Sequence, residues 1–306
     1  MVAKKTFLEV PTISFNGGTY TGGLLNEMPD GHGIWSGSTE EYVGDWKRGK
    51  REGFGVCKKS GAQNRIDLGK RADWGEGHSA YFGQWENDKF HGQGSYIFEE
   101  VVSDYFHWRE EGIKQIKRVQ YYAGQFSEIF KDGLGTWFNT EITEYENQPD
   151  EIFSEKYEGE WKRNAKHGKG TFTKYDGTKV SGEFKEDRLE GVCTWAYSSG
   201  TIFIGHPDEY LGLFSFDHTR REGIWIRPDG AKYEGQATTS PCGDGMMETL
   251  RDGQGTTTYA DGRSYKGEWK NDNEWEGTEC DQDGSAIAVF KEGVRRPALT
   301  VVSGSK

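Results

Sequence analysis

Apolar residues are scarce in this sequence. They make up 33% of 306 residues, and the mean hydropathy is -0.87. No apolar run approaches the ~20 residues of a membrane-spanning helix. The stretch from Met1 to Val10 holds no long apolar core, so no secretory signal is expected. Val2 rules out N-myristoylation, and the last residues form no prenylation motif. Cysteine is down to four residues, Cys57, Cys193, Cys242 and Cys280, with no CxxC pair. That pattern predicts reduced thiols in a cytoplasmic protein. Positive charge is short as well: net charge -12 and pI ≈ 5.2 argue against a general nucleic-acid binder. Low hydropathy with high net charge would suggest disorder. Aromatic residues at 14%, and 44 glycines beside only 7 prolines, argue the opposite.

The rings and glycines are placed regularly. Tyr157-x-Gly159-x-Trp161 is followed by Gly168-x-Gly170, Tyr81-x-Gly83-x-Trp85 by Gly92-x-Gly94, and Tyr42-x-Gly44-x-Trp46 by Gly53-x-Gly55. Related units begin at Tyr20, Tyr122 (with Phe126), Val180, Tyr210, Tyr233 and Tyr265, which gives nine. Phe203-x-Gly205 is a broken tenth. An internal repeat of this kind fixes the architecture before any single residue is considered.

Each unit reads as a β-hairpin. Residues i, i+2 and i+4 of a strand share a face. Tyr157, Gly159 and Trp161 therefore point one way, with Glu158 and Glu160 on the other. In the second strand Gly168, Gly170 and Phe172 are expected on the ring face, the glycines leaving gaps for rings. The opposite face is charged and hydroxylic. Lys162–His167 is expected to turn the hairpin, and Asp176-Gly177, Asp229-Gly230, Asp261-Gly262 and Asp283-Gly284 to close the next strand pair. The predicted fold is all-β: an elongated single-layer antiparallel sheet of tandem hairpins, on the order of 85 Å long at ~4.8 Å per strand. It covers residues 20–284, after an N-terminal segment 1–19 and before a C-terminal strand and tail, 285–306. Insertions fall near 58–79, 99–120, 139–156 and 236–251. Phe106, Ile113 and Ile116 suggest a short helix within 103–119.

Tyr157-Glu158-Gly159-Glu160-Trp161 running to His167-Gly168-Lys169-Gly170 resembles the MORN repeat (membrane occupation and recognition nexus). Tyr265–Trp269 and Tyr81–Gly94 are similar to it too. The resemblance covers roughly residues 20–284. It implies an antiparallel sheet used for assembly: scaffolds in cilia and the cytoskeleton, self-association, and docking of partner helices or extended peptides. Membrane tethering and lipid binding have also been proposed for the repeat.

Catalytic and ligand motifs weigh little beside the repeat. No Gly-x-Gly completes a dinucleotide or P-loop fingerprint. His91 and His167 sit in separate hairpins, without the convergence a metal needs, and no cofactor is expected. Glu158, Glu160 and Glu268 fit a solvated face. No serine or cysteine has a nucleophile-elbow context.

The function expected is a non-enzymatic scaffold within a ciliary, axonemal or other cytoskeletal assembly. Partner proteins would dock along the ring-lined face, with Tyr42, Trp46, Tyr81, Trp85, Tyr122, Phe126, Tyr157 and Trp161 as contact residues. The partners expected are other proteins, a second copy among them, and not nucleic acid. A second reading is a peripheral membrane adaptor that meets anionic phospholipid through Lys47, Arg48, Lys50 and Arg51. A third is a regulatory subunit of an enzyme.

Overall fold

The structure is a computed structural model, and it describes residues 10–61, 75–102, 113–206, 220–241 and 247–298. The chain divides into two compact units, 1–175 and 176–306. Each is a single layer of antiparallel strands in which every strand pairs with its neighbours in sequence. No helix occurs among the described residues.

Unit 1 contains β1 (Thr12–Phe15), β2 (Gly18–Leu25), β3 (Met28–Ser36), β4 (Glu40–Lys47), β5 (Lys50–Ser60), β6 (Gly75–Glu86), β7 (Lys89–Val102), β8 (Ile113–Ser127), β9 (Phe130–Tyr145), β10 (Glu151–Lys162) and β11 (Ala165–Thr173). The pairings register the repeats on one another. Gly22, Gly33, Gly44, Gly55, Gly83, Gly94, Gly124, Gly135, Gly159 and Gly170 form one unbroken row from β2 to β11. Beside it runs a second row: Tyr20, Trp35, Tyr42, Cys57, Tyr81, Tyr96, Tyr122, Trp137, Tyr157 and Phe172.

Unit 2 contains β12 (Lys179–Lys185), β13 (Arg188–Ala196), β14 (Ile202–Gly205), β15 (Arg220–Ile226), β16 (Lys232–Pro241), β17 (Met247–Thr258), β18 (Ser264–Lys270), β19 (Asn273–Cys280), β20 (Ala286–Lys291) and β21 (Val294–Pro297). Its glycine row includes Gly205, Gly223, Gly235, Gly255, Gly267 and Gly277. Asp-Gly turns join its hairpins as expected. The Asp229, Asp261 and Asp283 carboxylates accept the N–H two residues on, at 2.8–3.0 Å.

Four expectations need correction. The hairpin turn is shorter than Lys162–His167. It is Arg163-Asn164 alone, both at positive φ, the two-residue turn whose twist suits paired strands. The first glycine of each Gly-x-Gly is a bulge residue and not a gap for a ring. Gly53, Gly92, Gly133 and Gly168 have φ of +67°, +54°, +101° and +52°, and the register slips there. Where the inserted stretches fall among the described residues, most of them lengthen strands. Ile113 and Ile116 lie in β8, which pairs with β7 and β9, and Phe106 falls outside the described residues. Finally, the unit read from Tyr210 begins at Phe203. Phe203 pairs with Trp225 and Gly205 with Gly223, and 207–219 lies outside the described residues. The terminal segments also hold strands: β1 pairs with β2, and β20 with β21.

The row of facing glycines explains why these strands tolerate so poor a β-former. A Cβ on Gly83 would sit 2.5 Å from Gly94 Cα and 2.6 Å from the Tyr81 hydroxyl. Gly17, in a turn with open space around it and φ +78°, has no such contact. Gly83→Ala is therefore expected to lower unfolding free energy by roughly 1–3 kcal/mol. Gly17→Asn should stay within about 0.5 kcal/mol. Urea titration of both variants checks this, and equal losses would refute the close-approach argument.

Candidate functional site

The two faces of the unit 1 sheet differ in kind. On the ring face, each tyrosine lies over the glycines of its own and the facing strand and donates its hydroxyl to the carbonyl three residues on. Tyr42→Asp45 is 3.0 Å, Tyr81→Gln84 2.7 Å, Tyr122→Gln125 2.9 Å and Tyr157→Glu160 3.0 Å. Tyr233 and Tyr265 repeat the bond in unit 2. Burial pushes the Tyr42, Tyr81 and Tyr122 hydroxyls well above their usual range, so they remain donors.

The ring four residues on binds the hairpins together. Trp46 meets Tyr42 edge-on at 5.2 Å and Tyr20 of the preceding hairpin at 5.3 Å. Trp85 does the same to Tyr81 and Tyr42, Phe126 to Tyr122 and Tyr81, and Trp161 to Tyr157 and Tyr122. Such edge-to-face contacts contribute ~0.5–1.5 kcal/mol each beyond area burial. Cations cover the rings. Arg51 lies 5.0 Å from the Tyr42 ring and 5.2 Å from Trp85, and Lys131 lies 4.7 Å from Trp161.

This geometry corrects the expectation of an open ring-lined groove. Tyr42, Trp46, Tyr81, Trp85, Tyr122, Phe126, Tyr157 and Trp161 are brought together in one continuous array, yet none is more than 5% exposed. They are the core of a sheet that has no second layer among the described residues. The four basic candidates also part company. Lys47, Arg48 and Lys50 are exposed at the β4–β5 turn. Arg51 is folded over the rings and ion-paired to Glu40 at 2.5 Å.

Arg51, Glu40 and Cys57 form a small half-buried polar cluster, with only Cys57 fully buried. The Cys57 thiol donates to Glu40 Oε1 at 3.2 Å, and Lys59 Nζ lies 3.3 Å from Oε2. Burial and the neighbouring Glu40 push the Cys57 thiol up to about 12. Burial also pushes the Glu40 carboxyl up, but Arg51, Cys57 and Lys59 outweigh it and hold the group below its usual range.

The opposite face is not uniformly charged and hydroxylic. Cross-strand register sets Thr21, Ile34, Val43, Val56, Phe82, Ser95, Ala123, Thr136, Glu158 and Thr171 in one row. Ile34, Val43 and Phe82 are 49%, 40% and 60% exposed, and Phe54, two residues before Val56, is 56% exposed. The repeat pattern leaves these positions unspecified, so it does not mark them. Comparing the same position between the repeats of unit 1 is the signal that finds them, because elsewhere in that unit it holds Thr, Ser, Ala or Glu. Beside this row, Asp45, Gln84, Gln125 and Glu160 accept the N–H that each bulge frees, at 2.7–3.1 Å. Glu160 is thus exposed but engaged. No group of histidine, cysteine and carboxylate side chains suits a metal among the described residues.

A model of the MORN repeat matches residues 42–61, 81–99, 122–138, 157–179, 181–202 and 247–262. The chain carries MORN repeats. Over 98 residues it is 36% identical to the MORN repeat-containing protein 3 of Xenopus laevis, an alignment spanning 31% of this chain and 37% of that relative's length. The MORN pattern and the geometry agree residue by residue. Its tyrosine is the ring, the glycine two residues on and the second glycine of Gly-x-Gly are the floor beneath it, and the first glycine of Gly-x-Gly is the bulge. The matched stretches omit the Tyr20, Phe203 and Tyr265 hairpins, which carry the same pairing.

Two outcomes follow for these MORN hairpins. Glu40 has a depressed folded value, so its stabilisation is complete above the ordinary value of 4.5 and is lost as pH falls through the folded one. Glu40→Gln should flatten the acid limb of a stability profile measured from about pH 6 to about pH 3, and an unchanged limb would count against the cluster. The second concerns the indoles. Trp85 Nε1 donates to the Gly55 carbonyl at 3.2 Å, whereas the buried Trp46 Nε1 has no acceptor. Trp85→Phe should therefore cost about 1 kcal/mol more than Trp46→Phe in denaturant titration.

Proposed function

We propose that the chain is a non-enzymatic scaffold that docks partner proteins on its sheet surface, within a ciliary, axonemal or other cytoskeletal assembly. The observation that carries this reading is the division of labour between the faces. The rings are spent on the fold, and the opposite face keeps large apolar side chains in water where the repeat does not require them. Exposed contiguous apolar surface of this kind marks interaction sites. MORN repeats suggest interaction with proteins or membranes, and the choice of a filamentous assembly comes from the family resemblance. The eight rings from Tyr42 to Trp161 serve docking as the floor that holds the outer face in register. The reading involves no cofactor.

A peripheral membrane adaptor is the second reading, favoured by the exposed Lys47, Arg48 and Lys50. No helix among the described residues is long and apolar enough to cross a membrane.

Imaging the tagged full chain in its own cells before and after detergent extraction tests the two. Retention on a cilium or another filament is expected. Complete release from a membrane-localised pool would favour the adaptor, and release from a diffuse pool would favour a subunit of a diffusible complex.

A further inference from the structure

The turns around Asp176, Ser199, Asp229, Asp261 and Asp283 repeat one backbone. The glycine that follows each of these residues has φ of +83°, +86°, +88°, +87° and +87° respectively. In the last four turns the residue two before donates its N–H to the carbonyl of the residue two after. The bonds run from Tyr197 to Thr201, Arg227 to Ala231, Tyr259 to Arg263 and Asp281 to Ser285, at 2.8–2.9 Å. The backbone is therefore held constant, and the side chain before the glycine can be compared from turn to turn.

Four of the five turns place a carboxylate there. Each accepts the N–H two residues on, at 2.8 Å for Asp176, 2.9 Å for Asp229, 3.0 Å for Asp261 and 2.8 Å for Asp283. The folded turn favours the charged form. Hydrogen bonds from the Arg227 and Arg263 side chains, and then the accepted backbone N–H, hold the Asp229 and Asp261 carboxyls below their usual range. Ser199 is the exception. Its hydroxyl stands 3.4 Å from the Thr201 nitrogen, outside the usual range of about 2.7–3.2 Å. Ser198 and Ser199 are both exposed.

The surroundings admit a larger anion at Ser199. Its turn leans on the next one: a Cβ on Gly200 would meet Pro228 Cγ at 3.1 Å. Arg227 precedes that proline, is 62% exposed and holds Asp229 at 2.8 Å. A guanidinium has five donors, so it can serve a second acceptor. Turns on the same side of the sheet are two strands apart, roughly 9.6 Å. That exceeds the ~8 Å screening length at physiological salt, so Asp176 and Asp229 oppose a further anion only weakly.

We propose that Ser199 is a phosphorylation site, and that its phosphate takes the place aspartate fills in the sister turns. The Ser199 Oγ attacks the γ-phosphorus of ATP held by a serine kinase. The Oγ–P bond forms as the bond to the bridging oxygen breaks, ADP leaves, and the hydroxyl proton passes to the kinase's base. The product carries about two negative charges and three strong acceptor oxygens. These accept the Thr201 N–H and a hydrogen bond from Arg227, which tightens the turn between β13 and β14. The proposal goes beyond the scaffold reading and does not depend on it.

Phosphopeptide mapping of the full chain, purified from its own cells with phosphatase inhibitors, tests the modification. Phosphate on Ser199 is expected. Its absence there, or phosphate on Ser198 alone, would overturn the proposal. The place of the phosphate in the turn is tested separately. Full chain made with phosphoserine installed at 199 is titrated by phosphorus NMR, folded and in urea. The folded phosphate should lose its second proton about half a pH unit below the unfolded one, whose midpoint lies near 6. Arg227→Gln should shrink that difference, and phosphoserine installed at 198 should show none. Ser199→Asp should raise Tm by about 1–2 °C, and Ser198→Asp should leave it unchanged. Equal folded and unfolded midpoints at 199, or a Tm lowered by Ser199→Asp, would overturn the assignment of an anion to this turn.

Discussion

The constraint on which everything else depends is the contact between a tyrosine ring and a pair of facing glycines. A single-layer sheet has no second layer to bury its apolar side chains. Here the tyrosine lies down on its own sheet, and only a missing Cβ on both strands gives it room. Once it lies flat, its hydroxyl reaches the carbonyl three residues on, and its exposed edge becomes a seat for the next ring. Tyr42 touches Trp46 of its own hairpin and Trp85 of the following one. Burial is thus achieved along the sheet, neighbour to neighbour, which is the energetic pattern of a repeat protein.

The same constraint sorts residues into those the fold needs and those it leaves free. In unit 1 the tyrosine, the second glycine of Gly-x-Gly and the following large ring cannot be exchanged singly without a clash or a void; unit 2 exchanges two of them together, with Val180 for the tyrosine and Cys193 for the glycine. The bulge glycine is required for its positive φ, and the side chain clasping the bulge needs only an acceptor. Asp45, Gln84 and Glu160 all fill that role. On the far face the fold asks only for a strand-compatible side chain. Specificity for a partner can therefore be written there without disturbing the rings.

Much of the fold was legible because geometry forces a repeated spelling. The hairpins, the ring face and the Asp-Gly turns of unit 2 all follow from residues that have no substitute. The rest depends on pairing between distant residues. Tyr210-x-Gly212-x-Phe214 matches the repeat better than Phe203-x-Gly205 does, yet Gly205 is the residue that meets Gly223. The partial 3–4 spacing of Phe106, Ile113 and Ile116 resembled a helix, but β8 extends beside β7 and β9 for as long as both continue. Ring burial was illegible for a different reason. Alternation assigns a residue to a face but does not say whether its neighbours cover it. The apolar row of the far face was obscured by the repeat itself, whose pattern leaves those positions unspecified.

The interlocked turns of unit 1 bear on how such a chain tolerates change in length. The N–H of the second turn residue donates to the preceding hairpin, from Asp88 to Arg51, Ile129 to Phe90 and Asn164 to Lys131. An added residue would break a link in that series. The long connections of unit 1 lie at the other ends of its strands, after β5, β7 and β9. In unit 2 the pattern is reversed: the Asp-Gly turns between hairpins are uniform, and the longer connections follow β14 and β16. Each unit thus has a selvedge, finished and fixed in count, and a fringe where sequence can be added. A grafted epitope or fused domain belongs on the fringe.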